Sequence, residues 1–162
     1  MTTTEDPRTI IDGDAYTVRR TIHISASVDK VWAAVTEPEH LAKWFAPTTT
    51  LDGRGVGATG VFTFDQNDSI PVRIEEIDAP RMIAYCWSND DAAAAKAGGA
   101  HPATIDDDHS LVMRFTLEAT AHGTQLTVVE TGFETTTDPA FNMESHRLGW
   151  NGILDQLIAH FA

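Results

Sequence analysis

Residues 21–45, TIHISASVDKVWAAVTEPEHLAKWF, change their hydrophobic period once and then restart it behind a proline. Traced back to Val18, the first part alternates, with Val18, Arg20, Ile22 and Ile24 on one face and Arg19, Thr21 and His23 on the other. That is the period of a half-buried strand. Ser27 then precedes an apolar-periodic run with Lys30 three residues on, so its hydroxyl can cap a helix that carries Val31, Trp32 and Val35. Pro38 ends this helix, and a second short one is expected from Glu39 to Phe45, stopping before Pro47.

Downstream, Gly53, Gly55, Gly57 and Gly60 punctuate a turn-rich stretch before VFTFDQ (61–66). The stretch leads into a strand, whereas a nucleotide-cradling glycine loop passes from a strand into a helix, so no phosphate loop is expected. IPVRIEEI, RMIAYCW, SLVMRFTLEAT and GTQLTVVETGF read as further strands separated by turn signals, an antiparallel meander. From about Asp138 to Phe161 the period becomes helical, with Met143, His146 or Arg147, Trp150, Ile153, Leu154, Leu157, Ile158 and Phe161 on one stripe. The order strand, two short helices, several strands and a long helix predicts an α+β fold with the helix laid on the sheet.

Two segments fall outside this rhythm. Residues 1–15 are polar and aperiodic and are expected to be a flexible tail before a single domain spanning 16–162. Residues 88–109 form a long inserted loop in which Ala92 to Ala97 can make a short helix stopped by Gly98 and Gly99, and loops of this length are either mobile or functional lids.

The chain has 162 residues, one cysteine and a formal charge of -13. Such a field repels phosphate backbones and anionic lipid, so nucleic acid is not an expected partner, and the acidity reads first as a solubility device. Cys86 alone makes no intrachain bridge, no apolar run approaches the roughly 20 residues of a membrane span, and the N-terminus has no secretory pattern. A cytoplasmic protein without membrane insertion, monomeric or homodimeric, is the expectation.

TIHISASVDKVWAAVTEPEHLAKWF, GATGVFTF, IDAPRMIAYCW, GTQLTVVETGF and HRLGWNGILDQL together resemble, in order, the START-like (SRPBCC) superfamily and within it the group of homologues of the activator of heat-shock ATPase. The resemblance spans about residues 17–161 and rests on the ordered set of segments. It implies a helix-grip fold, in which a curved antiparallel sheet wraps a long C-terminal helix, two short helices follow the first strand, and a cavity lies between sheet and helix. Strand parity and the helix stripe then nominate the ligand-binding residues. They are Phe62, Phe64, Tyr85, Trp87, Met113 and Phe115 from the sheet, Met143, His146, Trp150 and Leu154 from the long helix, and Trp44 and Phe45 at the closing end. Arg20 and Glu130 share the inward parity of the first and last strands, where they can pair with each other or Arg20 can anchor a carboxylate.

Bound to the resemblance, the leading expectation is binding of a small hydrophobic molecule, lipid-like, aromatic or polyketide-like, without a cofactor. A cyclase- or dehydratase-type enzyme using His146, Tyr85 or Glu130 as acid or base is the alternative, and a co-chaperone role stands third because the chain holds one such domain. No catalytic residue is assigned: the sequence has no Gly-x-Ser-x-Gly elbow, no His-Glu-x-x-His helix and no activated-thiol signature. His101 and His109 flank Asp106, Asp107 and Asp108, a composition able to hold a metal but with no standard spacing, and no metal site is assigned.

Overall fold

A computed structural model describes residues 8–64 and 68–162. Among these described residues eight strands form one antiparallel sheet: β1 (Ile10–Asp12), β2 (Thr17–Ile24), β3 (Thr48–Leu51), β4 (Thr59–Thr63), β5 (Ser69–Asp78), β6 (Met82–Trp87), β7 (Leu111–Thr120) and β8 (Gly123–Thr131). Their order across the sheet is β1-β2-β8-β7-β6-β5-β4-β3, so β3 to β8 are a meander and β2 pairs with its last strand. Helices α1 (Val28–Thr36) and α2 (Pro38–Trp44) follow β2, α3 (Asp91–Lys96) follows β6, and α4 (Pro139–His160) ends the chain. This is the α+β helix-grip arrangement.

The local expectations translate directly. Val18, Arg20, Ile22 and Ile24 alternate inward along β2, and Ser27 accepts the Lys30 N–H at 3.4 Å to cap α1. Pro38 occupies the first turn of α2, where its missing N–H costs nothing. On β6, Ile83, Tyr85 and Trp87 join the main core, while Ala84 and Cys86 are buried on the other face. The core lies between the sheet and α4, which contributes Met143, Trp150, Leu154 and Leu157.

Two strands were not read from the sequence. Residues 10–12, expected within a loose tail, form β1 on β2, and Thr9 N–H donates to Asn151 Oδ1 at 2.9 Å. Three residues carry too short a pattern to distinguish a strand from a coil. β3 hides in the run TTTL, and its close approach to β4 needs Gly60, where an added Cβ would meet the Thr50 carbonyl oxygen at 1.8 Å. The strand expected at 61–66 ends at Thr63, and its last two residues lie outside the described ones, as do residues 1–7 of the expected tail. In the insertion, α3 forms where the alanine run predicts it, and Gly99, at φ +94°, reaches back to the Ala94 carbonyl at 2.7 Å to stop it.

Candidate functional site

Glu130, near the end of β8, is fully buried. Three donors from two elements converge on it: Trp87 Nε1 at 2.7 Å to Oε2, Trp150 Nε1 at 2.9 Å to Oε1, and His146 Nδ1 at 2.7 Å to Oε1. An indole N–H only donates, so both carboxylate oxygens act as acceptors and each is occupied. The inward alternation of β8 delivers the carboxylate, and the one-turn spacing of His146 and Trp150 delivers two of its donors.

The other edge of the imidazole faces the insertion. His146 Nε2 is 3.2 Å from Asp91 Oδ2 but makes no aligned hydrogen bond, whereas Ser145 Oγ donates to the same oxygen at 2.7 Å. Burial alone would lower the His146 pKa, yet the Glu130 charge and hydrogen bond, with the Asp91 carboxylate 3.2 Å away, raise it to about 10, so the ring is an imidazolium at neutral pH. Burial likewise pushes Asp91 up, but His101, His146 and Ser145 outweigh it and hold that carboxyl well below the usual carboxylate range. His101, with 4% of its side chain exposed, continues the chain of groups: Nδ1 lies 2.8 Å from Asp68 Oδ1 and Nε2 lies 3.9 Å from Asp91 Oδ1.

Beside this polar chain is a cleft of about 300 Å³. Its apolar wall is Phe64, Ile70, Trp87, Trp150 and Ile153, and its polar end is Asp68, Asn89, Asp91, Ser145 and His146. Three larger surface grooves, of about 380, 510 and 550 Å³, have no Phe, Tyr or Trp among the described residues of their walls, so none offers an aromatic surface to an apolar ligand.

Of the nominated residues, Phe64, Trp87, His146 and Trp150 line the cleft. Trp44, Phe45, Phe62, Tyr85, Met113, Phe115, Met143 and Leu154 are buried in the core and do not. Phe45 is packed at 5.3 Å from Trp44, 5.3 Å from Phe62 and 5.6 Å from Trp150, which leaves the centre of the sheet filled. Polar tips in this core are also spent: Tyr85 Oη donates to the Val35 carbonyl at 2.6 Å and Trp44 Nε1 to the Ala34 carbonyl at 2.8 Å. Burial drives the Tyr85 phenol further up from its ordinary value, which keeps it protonated.

Arg20 does not pair with Glu130 as expected. The β2–β8 register sets Val18, not Arg20, opposite Glu130, and Arg20 crosses to α4 to bond Asp155 at 2.8 Å and the Asn151 carbonyl at 2.9 Å. Glu130 is instead the floor beneath Trp87, His146 and Trp150. Asp68, Asn89, Asp91 and Ser145 were missed, and His101 was weighed only as a metal ligand beside His109. Ser145 falls beside the helix stripe and was findable; the others sit at or beyond strand ends, where no periodicity operates and only the unusual length of the insertion is a signal.

His101 and His109 are not brought together, since His109 turns to Asp106 at 3.6 Å. Among the described residues the group spaced for a metal ion is Glu75, Cys86 and Asp107. Its carboxylates already hold the Arg73 guanidinium, at 2.5 Å and 2.7 Å, and burial raises the Cys86 thiol, so the donor set is occupied by a cation of the chain's own.

Similar folds are known. A protein of Mesorhizobium loti, MLL2253, superposes with a TM-score of 0.70 at 21% identity, over 88% of this chain and 94% of that one. The solution structure of the Aha1 dimer from Colwellia psychrerythraea gives 0.65 at 22% identity, over 90% and 95%. DynU16, from the dynemicin biosynthetic locus, gives 0.67 at 23% identity, over 89% of this chain but 46% of that longer one. A comparison with curated proteins found no match. Residues 25–162 match the family described as Activator of Hsp90 ATPase homolog 1-like protein. That match spans most of the chain, from the turn after β2 to the end of α4, and the chain belongs to this family, within the START-like superfamily.

Proposed function

We propose that this chain binds a small molecule, largely apolar with one polar end, in the cleft between α4, α3 and the adjoining ends of β4, β5 and β6. One observation carries the reading: at the edge of an aromatic cluster packed ring against ring, Phe64, Trp87 and Trp150, each also packed on Phe45, line a cleft of about 300 Å³. Such a volume suits one or two fused or linked rings more than a long acyl chain. Aromatic and polyketide-like scaffolds are therefore favoured over lipids, and the lone buried thiol suits work in a reducing, cytoplasmic compartment.

The test uses the tryptophans in the wall. Protein purified from its own host, held native in a mass spectrometer and then denatured, is expected to release a stoichiometric small molecule, and that molecule added back to stripped protein is expected to change the indole fluorescence saturably. A protein that carries nothing and responds to no member of an aromatic probe library overturns the proposal.

A second reading has its own observation. His146 Nε2 stands at the cleft wall as part of an imidazolium without an aligned hydrogen bond, so it can donate a proton or stabilise a developing oxyanion. Turnover of a carbonyl-bearing ligand in the wild type, and its loss in His146→Gln with binding kept, would establish an enzyme.

A further inference from the structure

The polar atoms around the cleft do not satisfy one another. Asn89 is 8% exposed, lines the cleft, and its Oδ1 has no hydrogen-bond partner. His146 Nε2 and both ring nitrogens of His101 are buried close to carboxylates yet form no aligned bond. Folded chains pair nearly all their buried polar atoms, so the unpaired Asn89 Oδ1 in the cleft wall marks an acceptor that a donor group of a ligand completes, whereas the imidazolium N–H of His146 only donates and is left to the Asp91 carboxylate or water.

Their charge points one way. Three carboxylates, of Glu130, Asp91 and Asp68, stand against two imidazoles, of His146 and His101, so ionised carboxylates leave a negative balance even with both rings protonated. Among the described residues no Lys or Arg lines the cleft. Above these groups the rings of Trp87 and Trp150, with centroids 6.5 Å apart and planes at 42°, and of Phe64, 6.2 Å from Trp87, form a partial aromatic enclosure. Aromatic faces beside carboxylates attract a cation and repel an anion. The chain's charge of -13 adds a long-range field of the same sign.

We infer that the ligand carries a protonated amine, its ammonium group held among Asp91, Asp68 and the Asn89 carbonyl oxygen and its apolar body laid on Trp87, Trp150 and Phe64. The inference rests on the binding reading above and specifies the polar end of that ligand. It reverses the expectation of a carboxylate ligand anchored by Arg20, whose guanidinium is engaged with Asp155 on α4.

Three probes that share a phenylethyl body and differ in the end group separate the possibilities: phenethylamine, 2-phenylethanol and 3-phenylpropionate. Each is titrated by calorimetry, and the indole N–H resonances of Trp87 and Trp150 report whether it enters the cleft. The amine is expected to bind roughly tenfold or more tightly than the alcohol, and the acid more weakly than either. Asp91→Asn is expected to erase most of that preference, and Asp68→Asn, which lies outside any helix, repeats the test where loss of a first-turn acid in α3 complicates the first variant. If the alcohol or the acid moves both indole resonances and binds as tightly as the amine, the inference fails while the binding reading stands. If no probe moves either resonance, the inference fails, and the binding reading fails with it when the host-purified protein also carries no small molecule.

Discussion

Glu130 is a buried carboxylate whose removal leaves two indoles and an imidazolium facing nothing. Replacing it by Gln sets an amide N–H against donors and strips the charge that balances His146, so Glu130→Gln is expected to cost about 3 kcal/mol or more in urea unfolding, the scale for breaking one side of a buried ion pair. His146 also makes stability depend on pH. Its folded pKa, about 10, exceeds its ordinary 6.5, so its contribution is complete below about pH 6.5 and is lost as pH rises through about 10. Asp91, held low, contributes above its ordinary 3.8 and loses that contribution in acid. The melting temperature is therefore expected to decline between neutrality and pH 10. In His146→Gln it starts lower at pH 6 and declines less; parallel curves for the two proteins would show that the imidazolium does not drive the change.

At the scale of elements, the insertion after β6 is tied down by polar contacts. Asp90 Oδ1 caps α3 through Ala93 N–H at 3.0 Å and accepts from Asn142 Nδ2 at 2.9 Å, and its Oδ2 accepts from Thr137 N–H at 2.8 Å. Asn142 Oδ1 in turn accepts from Ala92 N–H at 2.9 Å. These bonds fasten α3 to the start of α4 and bring Asp91 to His146. Asp90→Ala is expected to raise amide exchange across 91–99 while the exchange of β7 and β8 stays unchanged, with a global cost of about 1–2 kcal/mol. Uniform loss of protection would mean that the insertion is part of the cooperative core and not a separately held cover. The insertion was legible as a lid candidate from its length, and its helix from the alanine run and two glycines. Its docking was not, because Asp90 and Asn142 are joined by a contact that spans 52 residues and depends on how α4 lies on the sheet.

Across the whole molecule the charge of -13 is a destabilising field as well as a source of attraction for cations. Salt that shortens the Debye length from about 30 Å at 0.01 M to about 3 Å at 1 M is expected to raise the melting temperature at neutral pH, with sodium chloride as the probe. A fall would mean that the surface ion pairs, among them Arg114 with Glu76 and Arg81 with Asp78, outweigh the net repulsion. Among the described residues no helix is long and apolar enough to cross a membrane, and large exposed apolar side chains are spread over β1, the loops and α4.

Periodicity and capping chemistry are local, and they alone determined six of the eight strands, three helices of the helix-grip order, the inward face of β2, β7 and β8, and the short helix of the insertion, while β6, buried on both faces, offered no alternation to choose by. The family followed because those segments keep a definite order. Only the tertiary structure decided the partners of Arg20 and Glu130, since a shift of two residues in the β2–β8 register changes which charge a strand residue meets. It also decided where the space lies. A cavity is the volume left after all side chains have packed, a sum over the whole core, so the same inward parity that placed Phe62 and Phe115 in a filled centre placed Phe64 and Trp87 at the wall of a cleft.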